Sequence, residues 1–443
     1  MPAHPRKGRS VRICMITTFY GAQSFGGDAA YVDRLVRALA RRGHEIEVVH
    51  CADAFRAVRG DAPLMPFEPP PGVVIHRLES PFGVLSPLWT HQTGRVGPKG
   101  RLIGGLLERG RFDVVHLHNV SLVGGPHLLT LTSRAGNAVR LMTAHEYWLV
   151  CPMHVLWKLN RRPCDTPTCV RCTVHGRRPP QLWRYRPMLK SALEHLDALI
   201  FPSRYSIETH ARLGIEGAKI HLPYFLPDGW ASLASDVVME QWSDRPYLLA
   251  VGRMVGLKGF QDLIPLMAQM PELDLRIAGA GPEEGRLRRL ADGLPNVRFE
   301  GLLDSRRVAA LMAGATALAV PSLSWETFGY VVLEAFAVGT PVIARRRGAL
   351  PELIGESGGG LVFESGTEFV EAARRLTADR QLRDELGRRG QEAAATVWSE
   401  SRHISRYLAI IDGVARRRGL PLDVSSQPDR RDERLREPLL AGE

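Results

Sequence analysis

The chain has 443 residues, 44% of them hydrophobic and 24% charged, with 43 Gly and 31 Pro, a composition that excludes disordered and fibrous proteins. Its net charge of +11 rests on 58 basic residues, of which only six are Lys. Most Arg alternate with Asp and Glu on solvated helices such as 371–390 (EAARRLTADRQLRDELGRRG) rather than clustering with aromatics, which excludes nucleic acid as the expected partner.

Residues 11–18 (VRICMITT) read as a buried strand, followed by a glycine loop to Gly27, a helix over 28–43 and a strand over 45–50. The basic-to-apolar start is too short for a secretory signal, with only about eight apolar residues and no small-residue cleavage site, so a cytoplasmic protein is expected. Further strands are predicted at 112–118, 138–144 and 197–202, and Pro223, Pro227, Asp228 and Gly229 open a polar linker over 228–246. The alternation then restarts, with strands at 247–252, 273–279, 296–301, 316–321 and 340–344 and helices at 259–270, 282–292, 305–313 and 327–338. The apolar run 331–344 is broken by Glu334, Gly339 and Pro341 and falls short of the roughly 18 residues that span a membrane. The expected fold class is α/β, with two doubly wound Rossmann-like domains facing a central cleft, because strand ends and helix N-termini converge there on a ligand. The first domain covers 1–227, with an insertion rich in cysteine at about 151–180, and the second covers 247–418. Charge dominates 419–443, which is expected to be a disordered tail.

The segment 320–344 (VPSLSWETFGYVVLEAFAVGTPVIA) puts Glu326 just before a predicted helix and Glu334 inside it. At ~1.5 Å rise per residue the two carboxylates are offset by about 12 Å along the axis and roughly 80° around it. That spacing brackets a diphosphate lying over the helix start, with one carboxylate for each flanking sugar. Unpaired amides around Thr327, Phe328 and Gly329, together with the helix dipole, favour an anion there.

Through FGGDAAYVDRLVRALARRGHEIEVV, PSRYS at 202–206, VGRMVGLKGFQDLI, LRIAGAGPEEGRL, NVRFEGLL and ETFGYVVLEAFAVGTPVIA, the chain resembles glycosyltransferase family 4 over residues 10–415. The resemblance implies the GT-B fold and retaining transfer of a sugar from a nucleoside-diphosphate sugar to a hydroxyl of a lipid, a polysaccharide or a secondary metabolite. It implies that Arg253 and Lys258 bind the donor diphosphate, with Gly26 and Gly27 allowing close backbone approach. It gives Glu326, Phe328 and Gly329 to the donor sugar, Glu334 to the ribose, and His145 of LMTAHEYW to the sugar from across the cleft, with Glu326 and His145 as the catalytic pair. His116 and His118 of VVHLHN are candidates on the acceptor side, and the loop at 279–282 and the loop after 299–301 are expected near the base. No metal is required for catalysis, because cations and the helix start neutralise the leaving diphosphate. No second carboxylate offers itself as a nucleophile, so a front-face reaction is expected. A sugar-nucleotide epimerase or hydrolase on the same fold, or a catalytically silent binding protein, stays open.

Cys151, Cys164, Cys169 and Cys172 crowd one segment. Four soft ligands are enough for a structural zinc site; reduced thiols, an iron–sulfur cluster and disulfides stay open beside it. The stretch 157–184, with Trp157, Arg161, Arg162, Arg177, Arg178 and Trp183, is the densest mixture of basic and aromatic residues. It is the expected point of any peripheral contact with an anionic membrane at the inner face.

Overall fold

A computed structural model describes residues 10–24, 26–60, 62–159, 161–235, 245–420 and 422. The first domain is a seven-stranded parallel sheet built from β1 (Arg12–Ile16), β2 (Glu45–Cys51), β3 (Val74–Leu78), β4 (Val114–Leu117), β5 (Val139–Thr143), β8 (Ala198–Phe201) and β9 (Lys219–His221). A small antiparallel ribbon, β6 (Trp157–Lys158) with β7 (Arg162–Pro163), interrupts it. The strand order is β3-β2-β1-β4-β5-β8-β9. The second domain has β10 (Tyr247–Val251), β11 (Asp274–Ala278), β12 (Val297–Gly301), β13 (Ala317–Val320), β14 (Val342–Arg345) and β15 (Gly360–Phe363), in the order β12-β11-β10-β13-β14-β15. Each order reverses once, between β1 and β4 and between β10 and β13, as in doubly wound sheets. The expected α/β class with two Rossmann-like domains is therefore the observed one.

The strands read as unbroken apolar runs because helices cover both faces of a parallel sheet. In β1, Ile13 and Met15 enter one core while Cys14 and Ile16 enter another. The first of these cores is shared between the domains, since it also holds Leu249, Phe328, Val332 and Trp398. Its closing piece is the helix Glu400–Arg417, which packs on the helix Gly27–Arg41 and on β5 of the first domain. Glu400 anchors the return, accepting from Arg41 at 2.7 Å and from Arg42 at 2.8 Å. Among the described residues no helix is long and apolar enough to cross a membrane.

Several helix limits differ from the expectation for local reasons. The helix expected at 259–270 is α-helical only over Phe260–Leu263 and continues as a 3-10 helix over Ile264–Gln269, because Pro265 removes a backbone donor and crowds the preceding turn. The predicted helix at 371–390 is two helices, Gly366–Ala378 and Arg380–Thr396, with the Asp379 side chain capping the second by accepting from the Leu382 amide. The helix expected at 327–338 starts at Tyr330, after Gly329 with φ at +138°. The orphan amides foreseen around Thr327, Phe328 and Gly329 therefore belong to an extended loop, and those of the helix begin three residues later. Part of the expected linker, 236–244, and most of the expected tail, 421 and 423–443, lie outside the described residues.

Candidate active site

A cavity of about 400 Å³ lies between the domains, at the carboxyl ends of the strands. Gly27, Lys258, His145, Glu326, Phe328, Gly329 and Glu334 line it together. Gly26 caps the helix Gly27–Arg41 with φ at +89°, a backbone that a side chain would strain, and Arg253 is exposed beside the lining residue Gly252. Phe328 is buried, with its ring 4.8 Å from that of Tyr224, so it serves the cleft as a packed wall.

Glu326 and Lys258 come from loops after β13 and β10. Lys258 Nζ donates to Glu326 Oε1 at 2.7 Å, and Ser322 Oγ donates to the same oxygen at 2.8 Å. Burial raises the proton affinity of this carboxyl, but the Lys258 charge and the two hydrogen bonds outweigh it and hold Glu326 below the usual carboxylate range. The Lys258 side chain keeps 34% of its surface exposed, so its ammonium still faces the cavity. Glu334, one turn into the helix Tyr330–Ala337, is held from the opposite domain: Arg34 Nη2 donates to its Oε1 at 3.0 Å, and the guanidinium lies 4.4 Å from the Tyr330 ring centroid. Burial keeps the Glu334 carboxyl above the usual range, with Arg34 offsetting part of that.

His145 closes the other side. Its Nδ1 meets the Tyr224 hydroxyl, and its Nε2 lies 3.0 Å from His118 Nδ1. Burial drives its pKa down to about 3, so the ring is neutral at any working pH. The contact it makes across the cleft is through its backbone, whose carbonyl accepts from Thr327 Oγ1 at 2.8 Å. The Thr327 carbonyl in turn accepts from Ser203 at 2.7 Å, and the same Ser203 caps the helix Arg204–Arg212. His116 does not reach the cavity; it is buried between Thr143 and the Tyr407 hydroxyl of the returning helix.

Sequence reasoning passed over a second acidic pair. Asn119 Nδ2 donates to Asp28 Oδ2 at 3.0 Å and to Glu146 Oε1 at 3.1 Å, and both acids line the cavity on the first-domain side. Burial and the Glu146 charge push the Asp28 carboxyl up to about 6 against the pull of the Asn119 bond. The available signal was adjacency, since Asp28 follows the glycine pair and Glu146 follows His145.

Residues 25–224 match the family model described as Glycosyltransferase Family 4, and residues 238–393 match the one described as Glycosyl transferases group 1. A GDP-mannose-dependent alpha-(1-6)-phosphatidylinositol monomannoside mannosyltransferase of Mycolicibacterium smegmatis is 30% identical over 313 residues, which are 63% of this chain and 80% of that protein. The chain belongs to glycosyltransferase family 4. The lipopolysaccharide core biosynthesis glycosyltransferase LpsE of Rhizobium meliloti is 33% identical over 174 residues, a match that spans 38% of this chain and half the length of that relative. Sucrose-phosphate synthase from Thermosynechococcus elongatus shares the fold, with a TM-score of 0.68 at 21% identity over 92% of this chain and 100% of that one. The two-sheet architecture is accordingly GT-B, and the chain is an enzyme of glycosyl transfer.

In this glycosyltransferase all six cysteines are free. Burial and the neighbouring Cys151, Cys169 and Cys172 push the Cys164 thiol up to about 11. Among the described residues no three His, Cys, Asp or Glu side chains converge as metal ligands, and zinc is not assigned. Trp157 and Trp183 are buried, which takes the aromatic part of the expected membrane contact at 157–184 into the core, while Arg161, Arg162, Arg177 and Arg178 remain exposed.

Proposed function

We propose that the enzyme moves a sugar from a nucleoside-diphosphate sugar to an acceptor hydroxyl with retention of configuration and without a catalytic metal. The observation that carries this is the Lys258–Glu326–Ser322 cluster facing His145 and Asp28 across one cavity. Lys258 and the exposed Arg253 meet the diphosphate, whose negative charge grows as the glycosidic bond breaks, and the amides opening the helix Tyr330–Ala337 add to them. This cationic set supports a reaction that needs no divalent ion. Glu326 accepts from sugar hydroxyls through the oxygen that Lys258 and Ser322 leave open. Arg34 occupies Oε1 of Glu334, leaving Oε2 for a ribose hydroxyl, and the loop at 279–282 and the loop that follows β12 at Gly301 lie toward the base. His145 reaches the sugar by exchanging one of its two ring partners.

Retention follows if the acceptor attacks from the face the diphosphate leaves. Glu326, the carboxylate nearest the proposed sugar position, is committed to Lys258 and Ser322, which favours a front-face reaction over a covalent intermediate. The leaving phosphate then takes the acceptor proton, and the Asp28–Asn119–Glu146 group orients the acceptor hydroxyl. The mannosyltransferase named above is GDP-mannose-dependent, and Anabaena HepE, a structural neighbour with a TM-score of 0.65, was solved in complex with UDP; both support a nucleoside-diphosphate sugar as donor. The test is thermal stabilisation by a panel of such sugars, where a donor at a hundred times its Kd stabilises by about 2.7 kcal/mol. One class of nucleotide sugar should raise the melting temperature. A panel without effect, or release of free sugar at the same rate with and without acceptors, would overturn the proposal.

A further inference from the structure

The helix Leu85–Thr93 is turned inside out. Ser86, Thr90 and His91 are buried, whereas Leu85, Leu88 and Trp89 are 61%, 44% and 52% exposed. Those three follow the i, i+3, i+4 spacing of a single helical stripe, so the apolar stripe that would ordinarily meet a core faces solvent. The helix rests on the turn Leu182–Tyr185, where Trp183 Nε1 donates to the His91 carbonyl at 3.0 Å. Leu182 and Tyr185 of that turn are themselves 64% and 69% exposed. A run of exposed large apolar side chains of this kind marks an interaction surface.

Charge selects the partner. From Ser80 to Leu107 and from Thr166 to Leu193 the chain contains no Asp or Glu, against nine Lys and Arg. Arg95, Arg101, Arg178 and Arg186 are exposed among them, and Arg178 is near enough to His91 to disfavour its protonation, after the larger effect of burial. A second copy of the chain would set cations against cations here. Anionic lipid headgroups meet the Arg, while Trp and Tyr suit the boundary between headgroups and acyl chains. We propose that this face docks the enzyme on an anionic lipid surface. The docked face connects directly to the cleft, because Arg184 in the same turn donates to the carbonyls of Trp148 at 2.6 Å and Leu149 at 3.3 Å, three and four residues after His145. Docking would therefore set the acceptor side of the cavity at a fixed orientation to the bilayer.

Sedimentation of the full chain with vesicles decides it. Binding is expected to vesicles of phosphatidylglycerol with phosphatidylcholine and not to phosphatidylcholine alone, and it should vanish at about 1 M salt, where the Debye length is near 3 Å. Leu85→Ser with Trp89→Ser should weaken binding at least about tenfold, and neutralising Arg95 and Arg101 to Gln should weaken it about fivefold per charge. Both variants should keep the wild-type melting temperature and transfer to a water-soluble acceptor, which separates this idea from the proposed reaction; if the apolar variant unfolds, the Arg variant decides. No binding at low salt, binding indifferent to both variants, or a dimer in sedimentation velocity that the apolar change abolishes while vesicles stay unbound would each overturn it.

Discussion

Replacing Glu326 and Glu334 by Gln should impair the enzyme in different ways. Glu326→Gln keeps the shape but removes the charge facing Lys258 at 2.7 Å. Unit charges 4 Å apart at an effective dielectric of about 20 attract by about 4 kcal/mol, and with the ammonium one-third exposed only about 1 kcal/mol of freed attraction should reach a donor phosphate. Affinity for the nucleoside diphosphate should then hold or rise by up to about fivefold. Turnover should nevertheless fall, because a charged hydrogen bond to the sugar is worth about 1.5–3 kcal/mol and acts as the ring gains positive character, giving a loss of about ten- to a hundredfold in kcat. On the proposed ribose role of Glu334, Glu334→Gln removes a contact made in ground and transition states alike, so the donor KM should rise and diphosphate affinity fall by about ten- to a hundredfold while kcat is kept. Calorimetry of the free nucleoside diphosphate beside steady-state rates reads both. Equal losses of nucleotide affinity in the two variants, or the opposite pattern, would refute the assignment.

Three further outcomes follow from the geometry. Asp28 has its folded pKa raised from 3.8 to about 6, so its carboxyl costs stability progressively as pH rises from the unfolded value to the folded one and by a constant amount above that; Asp28→Asn should stabilise by up to about 3 kcal/mol near neutral pH and by nothing near pH 3, while lowering transfer, which melting curves at the two pH values beside rates will test. Glu400 is held below the usual carboxylate range by Arg42 and Arg41 against the larger effect of burial; its stabilisation is present above the unfolded carboxylate pKa and lost as pH falls through the folded one, so Glu400→Gln should destabilise at neutral pH and converge with wild type in acid denaturation scans. Thiol titration of the native enzyme above pH 8 should find Cys164 and Cys169 accessible and all six cysteines reactive only after denaturation; protection of all four clustered thiols, lifted by a chelator with release of zinc, would restore the metal reading.

Much of the site was legible because its residues sit in short strings that follow strands. Lys258 and Glu326 each close a strand-to-loop segment, and the fold brings the two loops together as neighbours of β10 and β13. Arg34 was not legible: it is one of many Arg on an amphipathic helix, and its partner Glu334 lies 300 residues away. Asp28 and Glu146 meet only through Asn119, at the ends of β4 and β5, a juxtaposition no local period encodes. Two features of the fold escaped for related reasons. The apolar period of Leu85–Thr93 shows a stripe but not which way it faces, and the period of Glu400–Arg417 does not say which domain will bury it. Long-range contacts accompany the shifted helix start at Tyr330, since the loop before it is held at Thr327 by Ser203 and the His145 carbonyl of the other domain, which no local pattern encodes.

The central claim is tested most directly by proton NMR of the transfer product, formed from the stabilising donor in excess EDTA. The anomeric coupling should show the donor's own configuration, and product should form as fast as without the chelator. Inverted configuration, or loss of transfer that added Mg²⁺ restores, would contradict the account.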